Sequence, residues 1–464
     1  MATRSPHVAR LPALFLALTA ALPAAGQEGG GTQAQGSERA VSTEVTSGSQ
    51  GEASPPGGPE VTPILGRDEL LGDAFGLRPA LRSRGVTLSV QNVLEYSEVY
   101  DGGVEQEDSF RNLFTFGVEV DTEEAAGLAG GTLFAQYLSV TAENGGSADS
   151  GDIQVYSDIE SEHSLDTLYE LWYEQSLLDD RVRLKVGKVD ANGEFASVAA
   201  LRPFSAGGDL TNNSAGYQPT IFPLPTYPDP AMSVNLFVTP YVDENFRLTL
   251  GYGFYDGAAG ADNVRTGVRG PSTFFSDERS DDWFHVAEAE LGWDHLGPLP
   301  GGSASVGGWH HTGRFARFDG GTEHGTGGLY ATAQQQLAGP APDHIAGDEG
   351  DAAADNGLYV FAQYGLADGG VADVESVYSL GLVLVGLGGV RPDDEVGVYA
   401  SLADLSDDPA AGFARDELAI EAFYRVSVTP AVYLQPGLQH VVNPSGRTDI
   451  GNPLIGQLRL GVTF

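Results

Sequence analysis

The chain has 464 residues, 63 of them Gly and none Cys, and its 64 acidic against 24 Lys and Arg side chains give a formal charge of −40. Without cysteine there is no disulfide framework, no thiolate metal site and no lipid-modified N-terminal Cys, and a polyanion lacking a basic stripe does not bind nucleic acid. No stretch approaches eighteen uninterrupted apolar residues, which excludes a transmembrane helix and leaves an exported soluble protein or a membrane barrel.

Arg4, His7 and Arg10 precede an apolar run from Leu11 to Leu22, and Ala24-Ala25-Gly26 follow. Residues 1–26 therefore read as a secretory signal peptide cut before Gln27. Residues 27–63 are rich in Gly, Ser, Glu, Thr, Gln and Pro with almost no apolar content, so they read as a disordered linker. Over 64–85, Leu70, Leu71, Leu77 and Leu81 are spaced as one helical face and Gly85 supplies a stop, which predicts a short amphipathic helix limited by Pro79.

From 86 to 464 the dominant period is two. In Phe246-Arg-Leu-Thr-Leu-Gly-Tyr-Gly-Phe254 every even position is apolar, and the same parity holds from Leu418 to Val428. Alternation of this kind marks strands with one apolar and one mixed face. Strands are predicted near 86–96, 110–121, 130–141, 167–178, 181–189, 232–239, 246–255, 283–293, 303–312, 327–337, 357–366, 374–386, 395–404, 416–428, 432–441 and 454–464. An even number of strands about ten residues long is what a transmembrane antiparallel β-barrel requires, so the fold is read as all-β, about 16 strands after a short N-terminal helix. Connections alternate in length: 178–181, 240–245 and 429–431 are short, whereas 97–109, 142–166, 190–231, 256–282, 338–356 and 442–453 are long and polar. Short turns at one end and long loops at the other separate a membrane barrel from a soluble sandwich.

In the hairpin 167–189, a two-residue turn at Asp179-Asp180 sets Glu174 opposite Lys185, Leu177 opposite Val182 and Tyr173 opposite Val186. One face is then Tyr169, Leu171, Tyr173, Leu177, Val182, Leu184 and Val186. The other carries Glu170, Trp172, Glu174, Arg181, Arg183 and Lys185, charges of both signs that fit a wet lumen; in a sandwich they would face solvent. The last strand ends on alternating Leu458, Leu460, Val462 and Phe464, and a terminal Phe closing such a strand resembles the assembly signal of outer-membrane proteins.

At Leu70-Leu-Gly-Asp-Ala-Phe-Gly-Leu-Arg-Pro-Ala-Leu-Arg-Ser-Arg-Gly-Val86 the chain resembles the N-terminal signature of the carbohydrate-selective porins of the OprB type, departing at Ala74-Phe75, where Trp-Gly is the family's pattern. Val186-Gly-Lys-Val-Asp190 with Asn212-Asn-Ser214, Gly-Leu-Tyr at 328–330 and 357–359, and Gln435-Pro-Gly-Leu-Gln-His-Val-Val-Asn-Pro444 resemble the same family. The resemblance implies an outer-membrane, sixteen-stranded channel in which small sugars diffuse passively into the periplasm, embedded in outer-membrane lipids and open to homo-oligomerisation. The residues agree in outline, because a barrel of sixteen strands leaves an aqueous lumen. The alternatives are a general or cation-preferring diffusion porin, with ion transport, and a non-transporting barrel. An enzyme on the barrel wall lacks a Ser, His and acidic motif on one face, and no cofactor is expected.

Sugar selection needs aromatic faces for the apolar side of a pyranose and charged or amide groups around its hydroxyls. Trp172 between Glu170 and Glu174, with Arg183 and Lys185 across the hairpin, and Phe423 between Glu421 and Arg425, supply that combination as pore-lining candidates. The competing role for both rings is packing over Gly187 and Gly437. The connection 190–231, with Phe195, Arg202, Phe204, Asn212, Asn213 and Tyr217, is too long and aromatic for a simple external loop and is expected to fold partly into the lumen. Asp277, Glu278, Asp281, Asp282, Asp348, Asp351, Asp407 and Asp408 are expected at the outer mouth. His310 and His311 point to opposite faces of one strand and cannot share an ion, the acidic run Asp348 to Asp355 lacks calcium-loop spacing, and Gly325-Thr-Gly-Gly328 has no strand-to-helix context for a phosphate loop.

Overall fold

The computed structural model describes residues 67–142, 147–159, 164–204, 223–257, 282–340, 356–387 and 391–464. The expected signal peptide, the linker and residues 64–66 of the expected helix lie outside the described residues, as do Asn212, Asn213, Tyr217 and the acidic run 348–355.

The alternating segments form β1 (Val86–Gly103), β2 (Asp108–Asp121), β3 (Gly131–Ala142), β4 (Leu165–Leu177), β5 (Val182–Val189), β6 (Ala231–Val242), β7 (Phe246–Asp256) and β8 (Trp283–Trp293). They continue as β9 (Gly302–Ala316), β10 (Thr322–Ala338), β11 (Gly357–Leu366), β12 (Val374–Leu387), β13 (Arg391–Leu405), β14 (Glu417–Thr429), β15 (Val432–Val442) and β16 (Gly451–Thr463). Each predicted strand has its counterpart. Neighbours in sequence pair antiparallel, and β16 closes on β1 to complete a barrel. In β14, Ile420 and Tyr424 are exposed while Ala419, Glu421 and Phe423 are buried, so the outward face is apolar and the inward face mixed. Leu184, Leu250, Leu438 and Leu458 are likewise exposed. A belt of that extent is untenable in water and is matched by lipid, the solvent in which a closed sheet satisfies every backbone group. No helix among the described residues is long and apolar enough to cross a membrane.

The register of the β4–β5 hairpin agrees with the sequence reading: Tyr173↔Val186, Glu174↔Lys185 and Leu177↔Val182. The turn is wider than expected, with Leu178, Asp179 and Asp180 all left-handed (φ 59°, 54° and 59°). Tyr169 corrects the face assignment. The β3–β4 pairing slips from Gln136↔Glu170 to Tyr137↔Leu168, leaving Tyr169 as a bulge. One extra residue inverts the parity beyond it, so Leu168 takes the outward position and Tyr169 turns inward, fully buried beside Leu138 and Val140.

The N-terminal helix is also shorter than its spacing predicts, covering only Leu77–Arg82. Gly72, Ala74, Phe75 and Gly76 all adopt positive φ, and a run of left-handed residues cannot continue a right-handed helix. The resemblance motif acquires a structural role here: Arg78 is buried, donates to the Leu88 carbonyl at 3.2 Å, and also bonds Glu69 and the Phe464 carbonyl. Leu70 N–H donates to Thr463 O at 2.8 Å, so the segment before β1 is clipped to the end of β16.

Counting from β1, the turns 178–181, 243–245 and 430–431 share one end of the barrel, and Asp282, Asp407 and Asp408 stand at the other, the long-loop end. Asp277, Glu278, Asp281, Asp348 and Asp351, expected at the outer mouth, lie outside the described residues. The connection expected over 97–109 shrinks to 104–107 because β1 and β2 extend into it.

Candidate functional site

Two connections from the long-loop end turn into the lumen. After β5, Asp190 caps the short helix Ala191–Glu194, its side chain accepting from Asn192 N–H at 2.9 Å, and a 3₁₀ turn follows at Ala199–Phe204. Phe195 stacks on Phe237 with centroids 5.3 Å apart. A Cβ on Gly253 would lie 2.7 Å from the Phe195 ring, so a bare backbone on β7 is what admits it. Further across, Ala196 N–H donates to Glu288 and Ala200 N–H to Gln334, each at 2.9 Å. Phe204 ends fully buried, edge-on to Phe361, Tyr399 and Phe423 at 5.8, 4.9 and 4.7 Å. The segment thus runs from β5 to β14 across the interior. Burying an aromatic ring of this size contributes about 1.5–3 kcal/mol.

The second inward segment, Ser147–Ile159 after β3, has no counterpart in the sequence reading. Glu417 accepts from Ile153 and Gln154 N–H at 2.8 and 3.0 Å, and the Tyr156 carbonyl accepts from Gln439 and Gln457 at 2.7 and 2.8 Å. Its hydroxyl meets Ser97 and Arg111 at 3.0 and 2.9 Å. Both segments converge on Arg459 of β16, which is fully buried, pairs with Glu95 of β1 at 2.7 Å and Asp158 at 2.8 Å, and donates to the Phe204 carbonyl. Arg111 joins Glu95 at 3.2 Å.

The candidate pore-lining residues all occupy the inner wall, but in different settings. Glu174, Arg183 and Lys185 meet Glu194 of the first inward segment: Arg183 lies 2.9 Å from Glu174 and 2.8 Å from Glu194, Lys185 lies 3.0 Å from Glu174, and Lys185 also bonds Glu194. Burial pushes the Glu194 carboxyl up, but Lys185 and Arg183 outweigh it and hold it at about 2. Burial raises Asp190 to about 6, opposed by bonds from Tyr169, Thr226 and two backbone N–H groups. Trp172 is half-buried with the Lys185 ammonium 4.0 Å from its ring centre and Phe134 at 5.1 Å, and Glu170 accepts from Asp190 N–H at 2.9 Å. Trp172 does lie across from Gly187.

Phe423 and Glu421 are covered by the inward segments, 4 % and 1 % exposed, and so offer no open surface. A Cβ on Gly397 would fall 2.3 Å from the Phe423 ring, which makes this ring a packing device, over Gly397 rather than the expected Gly437. Arg425 is partly buried, 3.0 Å from Glu395 and 2.9 Å from the Pro203 carbonyl. A cavity of about 260 Å³ lies on the short-turn side of Glu194, lined by Asp180, Arg183, Glu194, Arg247, Glu288 and Glu290 with Phe237 as its apolar wall. That is close to the lower end of small-ligand sites, about 300 Å³. The sequence reading missed Glu95 and Arg459, although each lies on the polar parity of an alternating strand, with Ser89, Gln91 and Ser97 or with Gln457, a signal that points to the inner wall; Glu194 and Asp158 sit in loops with no period to place them. Among the described residues no group of His, Cys, Asp and Glu is placed to hold a metal.

A family model described as carbohydrate-selective porin, OprB family, matches residues 108–464. Porin B of Pseudomonas aeruginosa is 23 % identical over 441 residues, covering 85 % of this chain and 91 % of that protein. A putative porin, QuiX, of Acinetobacter baylyi is 23 % identical over 451 residues, covering 86 % and 93 %. The high-pH structure of Pseudomonas putida OprB superposes with a TM-score of 0.70 at 17 % identity, covering 86 % of this chain and 99 % of that one, a likeness of fold.

Proposed function

The chain belongs to the carbohydrate-selective porin family of the OprB type, an outer-membrane channel fold, and from that premise we propose that small neutral sugars pass between the segment 191–204 and the wall of β4–β8. The observation that carries this reading is the inward segment itself, pinned at Glu194, Phe195, Ala196 and Ala200. It leaves a monosaccharide-sized cavity beside Glu194, Arg183 and Phe237. The faces of Phe237 are taken by Arg183 and Phe195, so a pyranose would meet the edge of that ring with its C–H groups and the paired carboxylates and guanidinium with its hydroxyls. The family and fold are those of channels.

Paired charges suit a neutral guest. Arg183 and Lys185 are already matched by Glu174 and Glu194, so a sugar can exchange hydrogen bonds with them without stranding a charge, and weak exchangeable binding is what permits passage. A preference for cations is the second reading, favoured by the four carboxylates against two guanidinium groups around the cavity. Planar-bilayer recording decides between them. Graded, saturable reduction of ion current by neutral monosaccharides, weakened in Phe237→Ala, is the expected result. Current insensitive to any sugar, with cation selectivity intact, would replace the sugar reading by the second.

A further inference from the structure

The two adjacent histidines of β9 part company as their parity requires. His311 is fully buried, with Nε2 2.5 Å from the Gly257 carbonyl, while His310 stands on the lipid-facing side. What surrounds His310 is graded along the barrel axis. Below it the outer face is aliphatic, with Leu250, Val306 and Leu329 45 %, 61 % and 61 % exposed. At its own level it pairs with His285 of β8, and Phe254 lies 5.1 Å from His285 and 4.7 Å from the stacked ring of Trp283. Trp283 is level with Thr312, whose hydroxyl accepts its N–H at 2.8 Å. One further pair up, at the long-loop end, Arg314 stands opposite His324, both exposed. Among the described residues neither has a hydrogen bond or an ion pair. Aliphatic, then aromatic, then basic is the profile of a membrane boundary, the aromatic girdle marking the headgroup level. Arg314 lies about 13 Å along the strand from His310, beyond that girdle.

We infer that Arg314 and His324, with His310 beneath them, form a docking site on the outer wall for the phosphate groups of a phosphorylated glycolipid of the outer leaflet. The occupant is fixed by three observations. The site faces away from the lumen, so no transported solute reaches it. It is at the long-loop end, so the leaflet is the outer one. And Arg314 and His324 are exposed basic side chains with no hydrogen bond or ion pair among the described residues, on a chain of formal charge −40, and a guanidinium forks onto phosphate oxygens. The acyl chains would lie over Val306 and Leu329. This site is independent of the sugar pathway and survives if that reading fails.

The experiment uses the folded full-length barrel in detergent, titrated with bisphosphorylated lipid A, with the same lipid dephosphorylated, and with inorganic phosphate, followed by native mass spectrometry. Retention of the bisphosphorylated lipid at least about tenfold above the dephosphorylated form is expected. In Arg314→Ser/His324→Ser the difference should vanish, and in Arg314→Lys part of it should return, with heat-modifiable mobility on gels confirming that each variant folds. Equal retention of both lipids, or no change in the double variant, overturns the proposal. Inorganic phosphate competing at millimolar concentration would show an anion site without a lipid and overturns it equally.

Discussion

Arg459 joins three parts of the chain that are far apart in sequence: Glu95 of the first strand, Asp158 of one inward segment and the Phe204 carbonyl of the other. Removing one partner of a buried ion pair strands the remaining charges, a loss of about 3–5 kcal/mol. Arg459→Met should therefore lower the unfolding free energy, measured by urea titration in detergent, by that order, and Glu95→Gln with Asp158→Asn in the same chain should recover part of it; additive losses would mean the three groups do not act as a unit. An inner-wall position by itself would tolerate Arg183→Glu, since a wet lumen accepts either charge, but the ion pairs of Arg183 change that outcome. Because Arg183 bridges Glu174 and Glu194, its reversal gathers three carboxylates and should destabilise the segment 191–204, seen as a noisier single-channel current. The same anchor has a pH signature. Glu194, ordinarily near 4.5, is held at about 2 in the fold, so its contribution is complete above 4.5 and lost as pH falls through 2. Asp190 has the opposite sign: raised to about 6 from an ordinary 3.8, it takes up its proton more readily folded than unfolded, and its contribution declines as pH rises from 4 to 6. Conductance should change between pH 4.5 and 2 in the native channel, and Glu194→Gln should remove that step.

At the scale of elements, strands were legible because a period of two with one face in lipid tolerates no slip, and a shift of one residue would bury every charge in hydrocarbon. Leu184, exposed on the outer wall, should cost about 2–4 kcal/mol on substitution by Arg if it faces mid-bilayer, measured by refolding into liposomes; a cost near zero would contradict the outward band. Tyr169 was misplaced because a bulge leaves no mark in an alternating pattern until its partner strand is known, and the pairing partner Gln136 is more than thirty residues away in β3. The helix was overread because Leu70 and Leu77 share a helical spacing whatever the backbone between them does, and four left-handed residues there have only Gly72 and Gly76 as a sign. Of the candidate site, the hairpin charges Glu174, Arg183 and Lys185 followed from register alone. Their acidic partner Glu194 did not, and neither did the covering of Glu421 and Phe423, since what a loop covers depends on where it crosses and not on its composition. Shortening the segment within 192–203 should raise single-channel conductance and weaken sugar block together. Unchanged conductance would place the narrowest point elsewhere.

For the whole molecule, charge is distributed by compartment. The lumen cations are largely spoken for: Arg183 and Lys185 by Glu174 and Glu194, Arg425 by Glu395, and Arg459 by Glu95 and Asp158. The wall therefore opposes the overall −40 less than its count of basic residues implies. Strand order also divides the acidic turns between the ends, with Asp407 and Asp408 at the outer mouth and Asp179, Asp180, Asp243 and Glu244 in the short turns at the other. A negative potential at both mouths draws cations from either side, over about 10 Å at 0.1 M salt, and is screened within about 3 Å at 1 M. A neutral sugar feels little of this field. The reversal potential across a KCl gradient should accordingly indicate cation preference at low salt that fades towards 1 M, inverting in sign but not in size when the gradient is inverted, while sugar flux stays nearly constant with salt. Anion preference at low salt would mean that Arg183, Lys185 and Arg425 are not neutralised by their carboxylate partners in the open channel, and the paired-charge account of the lumen would have to be given up.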